Sequence, residues 1–84
     1  MITRQLGELI DLLLEINSKK EMEDFLLGIF TPKERQEIPM RLSIVKMLKK
    51  GVRQHSVAER LGVGIATVTR GSRELRKGRF KAVN

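Results

Sequence analysis

Residues 54–70 read QHSVAERLGVGIATVTR, and this stretch is the most informative part of the chain. Its apolar residues follow two helical segments, about residues 54–60 and 65–77, joined by the short connection Leu61-Gly62-Val63-Gly64. Gly62 supplies the positive φ that a tight turn between helices requires. Two helices joined at a steep angle by a short glycine-containing turn form a helix-turn-helix.

The spacing within this stretch is more specific than the helix lengths. Six residue types fall where a helix-turn-helix needs them: Val57, Ala58, Leu61, Gly62, Val63 and Val68. Ala58 must be small because the second helix crosses against it, and the larger apolar residues form the core that fixes the angle between the helices. A helical hairpin with an ordinary glycine turn is the alternative, and it explains fewer of these six positions.

The second helix of a helix-turn-helix enters the major groove of DNA, so its outward-facing residues are candidates for base contacts. These residues are Ile65, Ala66, Thr67, Thr69 and Arg70. Alanine and threonine methyl groups suit thymine methyls, and threonine hydroxyls bond to base edges or phosphates. Candidates for phosphate contacts, which set affinity more than sequence preference, are Arg73, Arg76, Lys77, Arg79 and Lys81. Gln54 and His55 begin the first helix, where contacts to the DNA backbone or an outer base are expected; a merely solvated His55 is the alternative.

Charge is divided unevenly along the chain. Residues 1–42 hold six Lys/Arg and eight Asp/Glu, whereas residues 43–84 hold eleven and two, which together give the net charge of +7. A neutral-to-acidic first half followed by a strongly basic second half indicates that the first half is structural and that the second half contacts a polyanion. A basic surface that is merely solvated is the alternative.

Length and composition exclude several classes of protein. The chain has 84 residues and no cysteine, so we expect a single domain without disulfides or thiolate metal sites, as in a reducing cytoplasm. No apolar stretch approaches the length of a membrane span. The absence of Trp and Tyr disfavours base stacking on single-stranded nucleic acid. One histidine and dispersed carboxylates offer neither a nucleophile–base pair nor a metal cluster, so an enzyme is not expected.

The first half of the chain predicts three further helices. Apolar residues recur at helical spacing from Ile2 to Ile16, and Leu12 and Leu14 widen the apolar face of this helix. A helix that is apolar on more than one side needs more than one neighbour, so we expect a second subunit to contact it. Ser18 and Glu21 form a capping box before a second helix that carries Met22 to Ile29. We expect an organisation of one domain, with a helical dimerisation core over residues 1–51, the helix-turn-helix over 54–77 and a basic tail over 78–84.

A third helix is predicted from Thr31 to about Lys50. Thr31 is the N-cap, Pro32 takes the first helical position, Glu34 completes a capping box and Gly51 ends the helix. Pro39 predicts a kink or a break. The residues expected to be buried are Ile38, Leu42, Val45 and Leu48. In the last predicted helix, Gly71 stands where a helix-turn-helix usually has a large aliphatic residue; it indicates either space for a small ligand or close packing of two helices.

Three segments resemble the Trp repressor family: GIATVTRGS at 64–72, TPKERQEI at 31–38 and RLSIVKMLKKG at 41–51. The similarity covers about residues 22–76. It implies an all-α, intertwined homodimer in which each subunit presents a helix-turn-helix to one operator half-site. The family's final helix has no counterpart after Gly78.

The resemblance also implies a corepressor, L-tryptophan, bound between the recognition helix and the central core. By this resemblance Arg41 holds the ligand carboxylate, Arg70 stacks on the indole and Thr31 receives the ammonium through its backbone. Gly71 leaves room beside the ring. Glu74 stands near the ammonium, where the family typically has serine. A guanidinium group suits both a carboxylate and a ring face.

The chain is therefore expected to be a sequence-specific DNA-binding transcriptional repressor regulated by L-tryptophan. One alternative is a Trp-repressor-like DNA-binding regulator that needs no ligand, with the basic tail supplying extra phosphate contacts. Another is a helical protein-interaction module whose basic face docks on an acidic partner.

Overall fold

The computed structural model describes residues 2–84, and it is all-α over that range, as expected. Its helices are α1 (Arg4–Glu15), α2 (Lys19–Ile29), α3 (Pro32–Lys49), α4 (Gln54–Leu61) and α5 (Ile65–Arg76). None of these helices is long and apolar enough to cross a membrane. The chain divides into two compact units, one ending at Arg35 and the other beginning at Gln36.

Side-chain caps start both helices of the N-terminal unit. The Thr3 hydroxyl accepts a hydrogen bond from the Leu6 amide at 3.1 Å, and the Ser18 hydroxyl accepts one from the Glu21 amide at 3.0 Å. The second of these is one of the two bonds expected of the Ser18–Glu21 capping box. No described residue of α1 or α2 is buried, so the apolar stripes of both helices stay accessible in this chain.

The predicted capping box at the start of α3 is confirmed. The Glu34 amide donates to the Thr31 hydroxyl at 3.2 Å, and the Thr31 amide donates to Glu34 Oε1 at 2.8 Å. Arg35 Nη2 also donates to the Leu27 carbonyl at 2.9 Å, which ties this turn to the end of α2. The capping box thus gives hydrogen-bond partners to the Thr31 and Glu34 amides, at a helix start where backbone amides lack partners within the helix.

Of the kink or break predicted at Pro39, the break is wrong, because α3 runs without interruption from Pro32 to Lys49. Proline removes only the bond that its own N–H would donate to the Arg35 carbonyl, and the helix continues on both sides. The end of α3 is as predicted. Gly51 has φ +86°, its amide donates to the Leu48 carbonyl at 3.0 Å, and the Val52 amide donates to the Met47 carbonyl at 3.1 Å. This pair of bonds is a Schellman motif.

The core of the C-terminal unit joins α3 to the two following helices through Ile44, Val57 and Val68, each at most 1% exposed. Val45 is also buried, as predicted, but Leu42 is 45% exposed, so its predicted burial is wrong. Two residues correspond to roughly 200° around a helix, so a face that buries Ile44 turns Leu42 away. Half-buried apolar residues packed on this core are Met40, Met47, Leu48, Val52, Ala58, Leu61 and Val63, and Ile38 is likewise half-buried.

Candidate nucleic-acid interface and adjoining cavity

The predicted helix-turn-helix is present, and its turn has the expected geometry. Gly62 adopts φ +67° and ψ +35°, in the left-handed region that glycine enters without steric cost. The Val63 amide donates to the Ala58 carbonyl at 3.1 Å across this turn. Val57 on α4 and Val68 on α5 are both 0% exposed, so each helix contributes a fully buried side chain to their contact.

One hydrogen bond joins the side chains of two predicted DNA-contact residues. The Thr69 hydroxyl donates to Gln54 Oε1 at 2.8 Å in a partly buried position. This bond fixes the first residue of α4 against the middle of α5. The Thr69 proton is therefore used within the protein, while the amide nitrogen of Gln54 keeps its two hydrogens for other acceptors. His55, the next residue on α4, is exposed.

The first turn of α5 presents small and apolar side chains to solvent. Ile65, Ala66 and Thr67 are all exposed, with Ile65 at 42%. The N-cap of α5 is Gly64, which provides no side-chain acceptor for the first backbone amides. Unpaired amides at a helix start favour an anionic partner. This end of α5 therefore combines side chains suited to base edges with backbone donors suited to a phosphate.

Basic side chains continue from α5 into the C-terminal segment. The exposed members of this set are Arg70, Arg73, Arg76, Lys77, Arg79 and Lys81. Lys77 Nζ lies 3.7 Å from Glu74 Oε2, and its side chain is still 58% exposed. An ion pair this exposed adds little to stability, so the positive potential along this part of the chain remains available to phosphates.

A cavity of about 900 Å³ lies in the C-terminal unit, among residues of α3, α5, the turn before α5 and the C-terminal segment. Its volume falls in the range of small-molecule sites. The cavity brings together four of the predicted corepressor residues, Arg41, Arg70, Gly71 and Glu74. Thr31 belongs to the N-terminal unit, where its hydroxyl and amide both take part in capping α3.

Gly71 lies where α5 approaches α3 closely and where the cavity begins, so its position is compatible with both interpretations considered from the sequence. A Cβ at this position would lie 3.3 Å from Ile44 Cγ2 and 3.7 Å from Leu48 Cδ1, so α5 and α3 approach each other closely here. Gly71 also lines the cavity. A larger side chain would therefore have to push on the core or enter the cavity.

Glu74 places a buried carboxylate oxygen beside this cavity. Within residues 2–84, no hydrogen-bond donor reaches its Oε2 atom, although the side chain as a whole is 32% exposed. Burying a carboxylate oxygen is costly unless a donor or a cation compensates for it. Lys77 Nζ, at 3.7 Å, compensates electrostatically without a hydrogen bond. The oxygen thus retains the capacity to accept from a bound cation.

Two residues at the cavity were not identified from the sequence. Phe80 and Arg79 line it, although the sequence placed both in a basic tail, with Arg79 predicted to contact phosphates and Phe80 given no role. Lys49, at the end of α3, donates through Nζ to the carbonyls of Phe80 and Val83. Two features of the sequence could have drawn attention to this segment. Gly78 is a residue type that ends helices, and Phe80 is the one Phe, Tyr or Trp in the second half of the chain.

Comparison with known proteins agrees with this geometry. The family model described as "Trp repressor protein" matches residues 4–82. A Trp operon repressor homolog of Vibrio vulnificus is 40% identical over 70 residues, covering 82% of this chain and 69% of that protein. The homolog of Vibrio parahaemolyticus is 36% identical over 74 residues, covering 87% and 72%, and that of Vibrio cholerae is 39% identical over 70 residues, covering 82% and 68%. No solved structure matches significantly.

Proposed function

This chain belongs to the Trp repressor family and is a DNA-binding transcriptional repressor, and on that premise we propose that it binds an operator as a homodimer controlled by L-tryptophan. The family is a regulatory one, so the chain is not an enzyme. The observation that carries the proposal is the helix-turn-helix, whose buried Val57 and Val68 hold α5 with its first turn exposed.

In the proposed complex the exposed start of α5 reads the major groove. Ile65, Ala66 and Thr67 contact base edges. Thr69 and its hydrogen-bond partner Gln54 contact the DNA at the border of this surface. His55 contacts the DNA backbone or an outer base. The exposed basic residues that follow, Arg73, Arg76 and Lys77, neutralise phosphates and release counterions.

The assignment of phosphate contacts predicts a specific salt dependence. Arg73→Ala and Arg76→Ala should each reduce the slope of log affinity against log salt by about 0.9 for each phosphate that the variant no longer neutralises. Both variants should weaken binding to selected and scrambled duplexes by similar factors, because phosphates carry no sequence information. Fluorescence anisotropy with a labelled duplex selected from random sequence measures this.

Arg4→Ala is the control for this experiment, since Arg4 is exposed on α1 and pairs with Glu8 at 3.3 Å. It should leave the salt slope unchanged. A loss of discrimination between duplexes in Arg73→Ala, with an unchanged slope, would show that Arg73 reads bases instead.

L-tryptophan is proposed as the ligand of the cavity because the charges around it complement a zwitterion. Arg41 would hold the carboxylate and Arg70 would stack on the indole, with Gly71 leaving space beside the ring. The buried Oε2 of Glu74 would accept from the ammonium. Thr31 is proposed as a further ammonium ligand through its carbonyl, which accepts from the Arg35 amide at 3.0 Å and has a second lone pair.

Replacing the proposed carboxylate ligand should weaken corepressor binding strongly. Arg41→Ala removes charge-assisted hydrogen bonds, so we expect the dissociation constant for L-tryptophan to rise about 10- to 100-fold in calorimetry. Arg60→Ala is the matched control, because Arg60 is exposed at the end of α4 and does not line the cavity. Absence of binding to the unmodified protein at millimolar ligand would remove L-tryptophan from the proposal.

A ligand-independent repressor is the second candidate, and exposed Arg79 and Lys81 favour it. In a ligand-dependent repressor, the ligand raises the affinity for DNA by changing the position of the helix-turn-helix. Here additional phosphate contacts from the C-terminal segment would supply that affinity instead. This candidate predicts that saturating L-tryptophan leaves the affinity for a selected duplex unchanged.

A further inference from the structure

We propose that the C-terminal segment, residues 78–83, forms a wall of the tryptophan cavity, with Phe80 as the aromatic contact for the ligand and Lys49 as the residue that holds the wall in place. This inference rests on the proposed function, since it concerns the same cavity. It assigns a ligand-binding role to a segment that the charge pattern alone marks as a DNA-contacting tail.

The end of α5 directs the segment back toward the cavity. Gly78 adopts φ +89°, its amide donates to the Leu75 carbonyl at 3.0 Å, and the Arg79 amide donates to the Glu74 carbonyl at 3.1 Å. This is a second Schellman motif, which ends a helix and reverses the direction of the chain. Arg79 and Phe80 follow at once, and both line the cavity.

The end of α3 then holds the reversed segment. Lys49 Nζ donates to the Phe80 and Val83 carbonyls, and the Val83 amide donates to the Phe80 carbonyl at 3.1 Å, which closes a turn. Phe80 has φ +65°, a conformation that residues other than glycine rarely adopt. Such a conformation persists where surrounding contacts determine it, and the bonds to Lys49 and Val83 are contacts of that kind.

Phe80 borders the cavity and leaves it open. The volume of about 900 Å³ remains with the ring in place, which is enough for a small molecule. Among the described residues that line this cavity, Phe80 has the only aromatic side chain. A phenyl ring packs favourably on another aromatic ring in an offset or edge-to-face arrangement, so Phe80 favours an aromatic amino acid over an aliphatic one.

The test uses the ligand's own fluorescence. The chain contains no Trp and no Tyr, so the indole emission of added L-tryptophan reports binding without a protein background. The unmodified protein and four variants are titrated by anisotropy, after circular dichroism has verified their helix content: Phe80→Ala, Phe80→Leu, Lys49→Met and Lys50→Met. Lys50 adjoins Lys49 and is exposed, so Lys50→Met is the matched control.

We expect Phe80→Ala to weaken L-tryptophan binding about 10-fold and Phe80→Leu about 3-fold, because leucine keeps apolar area but loses the ring. Lys49→Met should weaken binding although Phe80 is intact, and Lys50→Met should bind like the unmodified protein. In Lys49→Met the Val83 amide should also exchange its hydrogen faster.

Three results would overturn the inference. Equal binding by Phe80→Ala and the unmodified protein would show that the ring does not contact the ligand, and tighter binding would show that it obstructs the cavity. In both cases the proposed corepressor itself would stand. Failure of the unmodified protein and of every variant to bind L-tryptophan would instead overturn the corepressor proposal, and this inference with it.

Discussion

Ile44→Ala should lower the free energy of unfolding by about 2–5 kcal/mol, which is the usual range for truncating a buried isoleucine. Ile44 is 1% exposed and packs with Val57 and Val68, one from each helix of the helix-turn-helix. Small domains are stable by only about 5–15 kcal/mol, so this single change should remove much of the total. DNA binding should fall as the folded fraction falls.

Urea denaturation followed by circular dichroism measures this effect, and two variants calibrate it. Ile44→Val should cost about 0.5–1.5 kcal/mol, because it removes one methylene group. Ile65→Ala should change stability by about 0.5 kcal/mol or less, since Ile65 is 42% exposed. If Ile44→Ala proved as stable as Ile65→Ala, the helix-turn-helix would not depend on α3 for its stability.

Ile10→Asp should convert the proposed dimer into a monomer and reduce operator affinity by about 10²–10⁴, the factor that bivalent contact contributes. Leu6, Ile10 and Leu14 recur every four residues along α1, Ile2 precedes the helix at the same spacing, and all four are 38–79% exposed. A continuous exposed apolar surface of this kind marks an interface. An aspartate placed there would be buried without a partner on association, at a cost of several kcal/mol.

Gln5→Asp is the matched control, because it adds the same charge at an exposed polar position of α1. Sedimentation equilibrium should show a monomer for Ile10→Asp and a dimer for both Gln5→Asp and the unmodified protein. A dimeric Ile10→Asp variant would exclude this surface of α1 from the subunit interface.

The helix starts and ends were predictable because they depend on neighbouring residues. The box formed by Thr31 and Glu34, and the glycine stops at Gly51 and Gly62, are local hydrogen-bonding patterns with recognisable residue types. The spacing of Val57 and Val68 was equally informative, since both must lie on the contact between the same two helices. These features sufficed to place the helix-turn-helix and the exposed first turn of α5.

Other features depend on contacts between distant parts of the chain. Apolar spacing shows that α3 has a buried face but does not fix its rotation, so Leu42 was expected in the core where Ile44 lies. Phe80 was missed for a related reason. Its position depends on Lys49, 31 residues earlier, and an irregular segment has no periodicity that would indicate such a contact.

The hydrogen bond between Thr69 and Gln54 has a consequence for the entropy of DNA recognition. A free glutamine side chain samples several rotamers, and fixing it on a ligand costs about 0.5–1.5 kcal/mol. Here the protein restricts that side chain before DNA arrives, because the Thr69 hydroxyl already holds Gln54 Oε1 at 2.8 Å. If Gln54 contacts DNA as proposed, this conformational cost is met on folding instead of on binding, and the Gln54 amide hydrogens would approach DNA in an orientation already set by Thr69.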